Sequence, residues 1–186
     1  MNEIVKGILS EKRYIHTLGV ARTAEKLAER LGIDPGKAYL AGMVHDIAKE
    51  MPVTEMFDFC RSHNIKLNRV EEKNPALLHA PVGSVLIKDY GIDDTEISDA
   101  VRYHTTGRAG MSLLEKIIYL SDMIEPSRNY KEVEMLRELC EEDFHKAFAE
   151  ALRQSMIWNL QKGCLIHEGT LHAWNDIQLK EEKYDF

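Results

Sequence analysis

Cysteine and long apolar runs are both scarce in this chain of 186 residues. Its three cysteines, Cys60, Cys140 and Cys164, form no CxxC pair, and their odd number excludes complete pairing into disulfides. Free thiols are typical of a protein from a reducing cytoplasm. No apolar run approaches the roughly 20 residues that cross a bilayer, and the charged N-terminus does not resemble a secretory signal. We therefore expect a soluble cytoplasmic protein that does not insert into a membrane.

Positive charge is also in short supply, because the formal net charge is −7 and the sequence pI is about 5.6. A general nucleic-acid binder needs a clustered basic surface, so we expect no nucleic-acid partner. An acidic balance still permits an anionic substrate if metal ions and a few Arg or Lys side chains gather positive charge at one place.

Strand patterns, internal repeats and linkers are missing, whereas helix signals are frequent. Ser10 and Gly32 bracket one amphipathic segment, and Asp34 is an N-cap followed by proline. Gly91 closes a later segment, Asp93 or Asp94 caps the next, and Ser112 opens a strongly apolar one. The chain length suits one domain with a proper core. We predict an all-α, single-domain helical bundle over residues 1–186. The predicted helices are 11–31, 35 to near 52, 54–62, 75–90 with a kink or restart at Pro81, 94–104, 113–124, 131–140 and 143–161.

Two stretches are predicted to be irregular: a polar connection over residues 64–73 and a tail over residues 163–175. The tail is unusually rich in side chains that stack or form hydrogen bonds. Residues after 180 are expected to be solvated.

The adjacent pair His45-Asp46 lies where the neighbouring residues are those of a buried helix. Imidazole and carboxylate together suit Fe, Mn, Zn and other first-row divalent ions. Neighbouring residues on a helix project about 100° apart around the helix axis. Both can therefore bind one metal only if that metal lies near the helix axis; otherwise they bind from two sides of a dinuclear pair. Lys49 follows one turn later on the same face, where an ammonium would help to hold a polyanion.

Other ligand-type side chains also stand on apolar edges, each on a separate predicted helix or at its end: His16, His79, His104 and Asp122. Any one of them alone is more simply a hydrogen-bonded core residue or a cap. Asp122 is the hardest to explain in that way, because an unpaired buried carboxylate costs several kcal/mol. In the last turn of its helix the macrodipole also disfavours an anion unless a cation compensates.

The order His16, His45-Asp46, Asp122 resembles the HD-domain metal-dependent phosphohydrolases, and the stretch VHDIAK resembles their signature. More narrowly, the chain is similar to the YqeK family of symmetrical diadenosine-tetraphosphate hydrolases. That resemblance runs from about Arg13 to Trp174 and is carried by the stretches RYIHT, LHAPVG, RYHTTG, SDMIEP and IHEGTL.

The resemblance implies an HD-type bundle and iron as the native metal, with His16, His45, Asp46 and Asp122 as ligands. His79 and His104 would complete a second metal position or contact phosphate. From residue types alone, Mn, Co, Ni or Zn would also be accepted. The tail 163–175 would contribute to the nucleotide site. The residues implied to contact the nucleotide are Arg13, His16, Lys49, His79, His104, Thr105, Asp122, Arg128, Leu165, Ile166, His167, Glu168, Gly169 and Thr170.

A mechanism follows as a hypothesis. Asp46 bridges two ions about 3.5–4 Å apart with a hydroxide between them, and that hydroxide attacks an inner phosphorus in line. Asp46, Lys49, His79 and His104 are the predicted catalytic residues, and Arg13, Lys49 and Arg128 stabilise phosphate charge. Diadenosine tetraphosphate would give two ADP, and related dinucleoside polyphosphates would be cut in the same way.

Other functions fit the same residues. One alternative keeps the HD core and changes the substrate to a nucleoside monophosphate or a guanosine polyphosphate. Another is a non-catalytic module that senses a metal or nucleotide and acts through a partner. A purely structural bundle leaves Asp122 and His104 unexplained. The oligomeric state stays open, with a homodimer among the options.

Overall fold

The computed structural model describes residues 1–180, which fold into eleven α-helices without a β-strand. The expectation of solvated residues after 180 lies outside this range. The helices are α1 (Asn2–Ile8), α2 (Glu11–Leu31), α3 (Pro35–Val44), α4 (Val53–Ser62), α5 (Arg69–Lys73), α6 (His79–Leu86), α7 (Thr95–Tyr103), α8 (Leu113–Ile124), α9 (Val133–Glu142), α10 (Phe144–Gln161) and α11 (Glu168–Lys180).

Most of the predicted boundaries are confirmed by the caps that suggested them. Asp34 and Asp94 accept hydrogen bonds from backbone N–H groups of the first turns of α3 and α7, and Ser112 forms a capping box with Glu115. Gly32 and Gly91 end their segments in the left-handed conformation. Ser10 is the exception, because its side chain caps nothing and bonds to Glu50 instead.

Three predicted segments differ from the structure. The helix expected to run from 35 to near 52 ends at Val44, and tight turns with i to i−3 backbone bonds follow over residues 45–50. The polar connection 64–73 contains α5, which is capped by the Asn68 side chain. The tail expected to be irregular forms α11 from Glu168 onward.

The region around Pro81 restarts as predicted. A 3-10 turn at Pro75–Leu77 precedes α6, and Pro81 occupies the third position of that helix. A proline so near the N-terminus costs little, because the first N–H groups of a helix have no intrahelical partner. His79 is therefore the first residue of α6 and is almost completely buried.

The core lies between α2, α3, α7, α8 and α10, where the apolar faces of these helices meet. A smaller cluster, with Met56, Cys60 and Leu78 among its members, supports the turns after α3 from the other side. The backbones of α2 and α3 approach one another closely: a β-carbon at Gly42 would lie 2.6 Å from the Ala21 Cα. This contact fixes the spacing between the helix that carries His16 and the helix that leads to His45.

The three cysteines are free thiols, as expected, with Cys60 and Cys140 buried and Cys164 exposed. Within residues 1–180, no helix is both long enough and apolar enough to cross a membrane.

Candidate metal centre

Five chain segments meet at the buried Asp46 carboxylate. His16 comes from the second turn of α2 and Asp122 from the last turn of α8. His79 begins α6, and His104 follows the last residue of α7. The predicted metal ligands are thus brought together from positions far apart in the sequence.

The two oxygens of Asp46 face different sets of side chains. On one side, Asp46 Oδ2 lies 3.6 Å from His45 Nε2 and 3.9 Å from His16 Nε2. The same His16 nitrogen is 3.1 Å from Asp122 Oδ1. We call His16, His45, Asp46 and Asp122 the Oδ2 set.

On the other side, Asp46 Oδ1 lies 3.2 Å from His79 Nε2 and 3.5 Å from His104 Nε2. Lys49 Nζ is 3.6 Å from the same oxygen. We call Asp46, His79 and His104 the Oδ1 set. One carboxylate therefore connects two groups of potential ligands, as a residue that bridges two metal ions must.

The second nitrogen of each histidine fixes which ring atom faces the centre. Nδ1 of His45, His79 and His104 donates to the backbone carbonyl three residues earlier, at 2.6, 2.6 and 2.7 Å. A carbonyl can only accept, so each Nδ1 carries a proton, and Nε2 is the ring nitrogen that can face a metal. His16 Nδ1 lies 3.0 Å from Glu125 Oε1, which favours the same tautomer.

Burial keeps two of these rings neutral. It lowers the pKa of His45 to about 4 despite the nearby negative charge of Asp46. It also lowers the pKa of His79 below the ordinary value. Burial alone would lower the pKa of His16 as well, but its contacts with Asp122 and Glu125 outweigh burial and raise it.

The carboxylates stay ionised. Burial by itself would raise the pKa of Asp46 and of Asp122, but neighbouring groups hold both pKa values well below the usual range. For Asp46 these neighbours are His45, His104, His79 and Lys49. For Asp122 they include His16, His45 and Arg128.

Several ligand atoms are buried without a hydrogen-bond partner: His16 Nε2, His45 Nε2 and Asp46 Oδ1. In addition, the Nε2 atoms of His79 and His104 are 3.1 Å apart. Buried ligand atoms that lack a hydrogen-bond partner are unfavourable unless a cation lies between them. The donor set thus fits divalent metal ions.

Three cationic side chains border the centre. Arg13 Nη1 is 2.9 Å from Asp46 Oδ2, and Arg128 donates through Nε to the Asp122 backbone carbonyl at 2.6 Å and contacts its carboxylate. Lys49 Nζ is 3.1 Å from His79 Nε2. These are the cations expected around phosphates, and each is partly exposed.

Two clefts border the centre and share Arg128. The Trp158 cleft, of about 540 Å³, contains His104, Thr105 and Asp122, and it is bordered by Gln154, Ser155 and Trp158 of α10. The Thr105 hydroxyl, a predicted nucleotide contact, has no hydrogen-bond partner. The Arg13 cleft, of about 520 Å³, contains Arg13, His16 and Glu125.

The predicted nucleotide segment 165–170 lies in a different place from the metal ligands. His167, Glu168 and Gly169 border a third cleft, of about 350 Å³, together with Arg102 and Arg108. A β-carbon at Gly169 would lie 2.6 Å from the Gly107 carbonyl oxygen, so this segment packs on the turn that follows His104. Thr170 is buried, Leu165 is exposed, and Ile166 is intermediate.

The His167 ring is held by structural contacts. Its Nε2 lies 2.7 Å from Asn68 Nδ2 and 3.8 Å from Glu71 Oε1, and its Nδ1 accepts a hydrogen bond from the Gly169 N–H. These contacts tie the tail to α5. The role of this segment in nucleotide binding stays a prediction.

Glu125 and Trp158 were not predicted as site residues. Glu125 is 1 % exposed, and it accepts from the Ser127 N–H and hydroxyl while contacting His16. Because it precedes a proline in a polar stretch, the sequence makes it look like an ordinary loop residue. Trp158, whose helix pattern favours packing, is 57 % exposed beside the centre. An exposed indole is a surface on which a nucleobase can stack.

The chain is similar in sequence to known hydrolases. The HD domain family matches residues 13–127. The symmetrical bis(5′-nucleosyl)-tetraphosphatase of Bacillus subtilis is 42 % identical over 92 % of this chain and 92 % of its own length. The protein of the same name from Halalkalibacterium halodurans is 39 % identical over 97 % of this chain and 96 % of its own.

A solved structure shares the whole fold. It comes from Clostridium acetobutylicum and is described as a predicted HD superfamily hydrolase involved in NAD metabolism. The two structures agree with a TM-score of 0.93 at 39 % identity, covering 97 % of this chain and 96 % of the other. The chain belongs to the HD-domain hydrolases and, within them, to the family of the symmetrical bis(5′-nucleosyl)-tetraphosphatases.

Proposed function

We propose that this protein is a metal-dependent symmetrical bis(5′-nucleosyl)-tetraphosphatase, which hydrolyses diadenosine tetraphosphate and related dinucleoside polyphosphates to nucleoside diphosphates. Two ADP are the products from diadenosine tetraphosphate. The observation that carries the proposal is the two-sided Asp46 carboxylate, with one oxygen facing each set of imidazoles. The names of the relatives supply the substrate class.

The Oδ2 set would hold one ion and the Oδ1 set a second, with Asp46 shared. Iron is the proposed native metal, and Mn, Co, Ni or Zn are substitutes that the same donors accept. When bound, the ions would lower the pKa of a coordinated water and neutralise phosphate oxygens.

Cationic and hydroxyl groups of the chain would bind the polyphosphate. Arg13 lines the Arg13 cleft, and Arg128 lines both clefts. Lys49 lies on the Oδ1 side of Asp46. Their charges stabilise the extra negative charge of the transition state. The unpartnered Thr105 hydroxyl is available to donate to a phosphate oxygen.

The chemical step is a hydrolysis in which one bond forms and one breaks. A water oxygen bonds to an inner phosphorus while the central bridging P–O bond opens, and the bridging oxygen leaves with the other half of the molecule. The proton lost by the water balances the charge on that leaving oxygen. Asp46 contacts imidazoles of both sets and would thereby orient them around the ions.

One adenosine would lie in the Trp158 cleft and extend toward the segment Leu165–Thr170. Stacking of a base on an aromatic ring contributes about 1–3 kcal/mol, enough to hold one half of the substrate while the bond breaks. The protein would act in the cytoplasm on free nucleotides, without a nucleic-acid partner.

The test is metal analysis of protein purified under anaerobic and aerobic conditions, followed by chromatography of the products. We expect ADP as the sole product from diadenosine tetraphosphate, loss of activity on chelation, and the highest activity with iron. Release of AMP and ATP, or no turnover with any of the five metals, would contradict the proposal. Faster hydrolysis of a nucleoside monophosphate or a guanosine polyphosphate would favour the alternative substrates.

A further inference from the structure

The C-terminal end of α8 lacks the backbone donors that would continue the helix. The last four carbonyls of a helix have no partner within it. Pro126 lies just past α8 and has no N–H, so it cannot donate to the Asp122 carbonyl. Arg128 Nε donates to that carbonyl at 2.6 Å instead, and the Tyr130 hydroxyl donates to the Met123 carbonyl at 3.1 Å. Long side chains thus replace the missing backbone donors.

Arg137, in the middle of α9, supplies further donors to the same end of α8. Its Nε donates to the Ile124 carbonyl at 2.8 Å, and its Nη2 donates to the Glu125 and Arg128 carbonyls at 2.7 and 3.1 Å. A guanidinium carries five N–H donors in a fixed planar fork, so one side chain can hold three carbonyls at fixed relative positions. Its positive charge also stabilises the C-terminus of a helix.

Arg137 is itself anchored away from the metal centre. Its Nη1 contacts the Glu134 carboxylate one turn earlier, and Leu136 beside it is buried in the core. The Arg137 side chain is 26 % exposed and borders a separate groove between α2 and α9, outside the Trp158 cleft and the Arg13 cleft. Arg137 can therefore influence the centre only through the loop that it holds.

That loop, which follows α8, carries two groups that contact metal ligands. Glu125 Oε1 lies 3.0 Å from His16 Nδ1, and the Arg128 side chain contacts the Asp122 carboxylate. Glu125 has little freedom on the opposite side, since a β-carbon at Gly19 would lie 2.5 Å from its Oε2. A shift of this loop would therefore move the partners of two members of the Oδ2 set.

We propose that Arg137 is a positioning residue for the Oδ2 set, which acts through Glu125 and Arg128 without touching the ions or the substrate. This inference rests on the proposed function. By fixing three carbonyls of the loop, Arg137 keeps the Glu125 carboxylate on His16 and the Arg128 guanidinium beside Asp122. The affinity of the Oδ2 set for its ion, and the contact of Arg128 with phosphate, then depend on a side chain outside both clefts.

The test compares Arg137→Met with Arg30→Met. Arg30 also connects two helices, because its Nη2 donates to the Cys140 carbonyl, and 32 % of its side chain is exposed. Both substitutions remove one positive charge and hydrogen bonds to backbone carbonyls, so both should lower the melting temperature by a similar amount. Only Arg137→Met should weaken binding of Mn²⁺ to the metal-free protein, by about fivefold, because Arg137 lies one contact beyond the partners of the ligands.

A double-mutant cycle with Glu125→Gln identifies the route of the effect. If Arg137 acts by holding Glu125, the loss of Mn²⁺ affinity on Arg137→Met should shrink to less than about twofold when Glu125→Gln is already present. At saturating Mn²⁺, Arg137→Met should raise KM for diadenosine tetraphosphate about threefold and change kcat by less than about twofold, because Arg128 is displaced. Arg137→Lys keeps the charge but not the fork, so it should give a smaller change in the same direction.

Three results would overturn the positioning role while the hydrolase activity stands: wild-type Mn²⁺ affinity in Arg137→Met, equal weakening in Arg30→Met, or effects that multiply in the double variant. If Arg137→Met does not fold, Arg137→Lys and Arg30→Lys provide the same comparison, and equal Mn²⁺ affinity in these two variants overturns the role. A wild-type protein that makes no ADP from diadenosine tetraphosphate would instead end the proposed function and leave the metal affinities unaffected.

Discussion

The two faces of the Asp46 carboxylate differ in the negative charge that they offer to a cation. On the Oδ2 side, a second carboxylate from Asp122 joins two imidazoles. On the Oδ1 side, two imidazoles share the carboxylate with no second carboxylate, and the Lys49 ammonium lies 3.1 Å from His79 Nε2. Arg13 and Arg128 contact the carboxylates of the Oδ2 set, so both sets have cations beside them. Because the Oδ2 set has two carboxylates and the Oδ1 set has one, we expect the Oδ2 set to bind its ion more tightly.

The largest change should come from removing the residue that both faces share. Asp46→Ala should lose both ions and reduce kcat by at least about 10³-fold, because the two sets lose their common ligand. Metal content and ADP formation measure this. Asp93→Ala, which removes an exposed carboxylate, is the matched control. An Asp46→Ala protein with normal metal content and turnover would show that the carboxylate does not bridge.

Breaking one face at a time tests the difference between them. Asp122→Asn should release the ion of the Oδ2 set and leave little bound metal of any kind, whereas His104→Ala should keep about one ion per chain. Mass spectrometry of the intact protein and metal analysis after dialysis distinguish the two results. Equal loss of metal from both variants would contradict two sites of unequal affinity.

Glu125 contacts His16 and should therefore affect metal binding only at the Oδ2 set. Glu125→Gln keeps the shape and one hydrogen bond but removes the charge, so the affinity for the tighter ion should fall about tenfold. The weaker ion should be unaffected. Glu29→Gln, an exposed change on α2, serves as the control. Unchanged metal affinity in Glu125→Gln would show that Glu125 stabilises only the loop after α8 and does not affect metal binding.

The smallest effect is expected from Lys49, on the Oδ1 face. Lys49→Met removes a positive charge beside the weaker site, so the affinity for the second ion should rise about threefold, while turnover falls because the phosphates lose a cation. Titration with Mn²⁺ gives the affinity. A fall in metal affinity would show that Lys49 supports the site rather than competes with the ion.

Most helix limits could be predicted because their signals are local. Asp34, Asp94 and Ser112 cap the helices that follow them, and Gly32 ends the helix before it. The early end of α3 could not be predicted from periodicity, since Ile47 continues the apolar pattern beyond the last helical residue. There the buried contacts of His45 and Asp46 with four other segments override local helical preference.

The candidate metal ligands could be proposed from the sequence because the resemblance to the HD-domain hydrolases implies them, and because Asp122 would be costly to bury without a partner. An Asp46 bridge between two ions is part of the sequence-based hypothesis, but the distances from its two oxygens to the imidazoles could not be predicted, because they depend on how α2, α6, α7 and α8 pack. Glu125 was missed for a related reason. Its neighbours Pro126 and Ser127 are exposed, and only the tertiary structure shows that its own carboxylate is buried against His16.

Gly42 shows how much the site depends on a position that contributes no ligand. With Ala21 Cα only 2.6 Å from where its β-carbon would stand, Gly42 lets the backbones of α2 and α3 touch. A chain with alanine there would retain every histidine and aspartate of the signature, yet α2 would be displaced from α3 and His16 from His45. A genome search that recognises such enzymes by their ligand residues alone would accept that chain, although His16 and His45 would no longer be held at the spacing that the Oδ2 set requires.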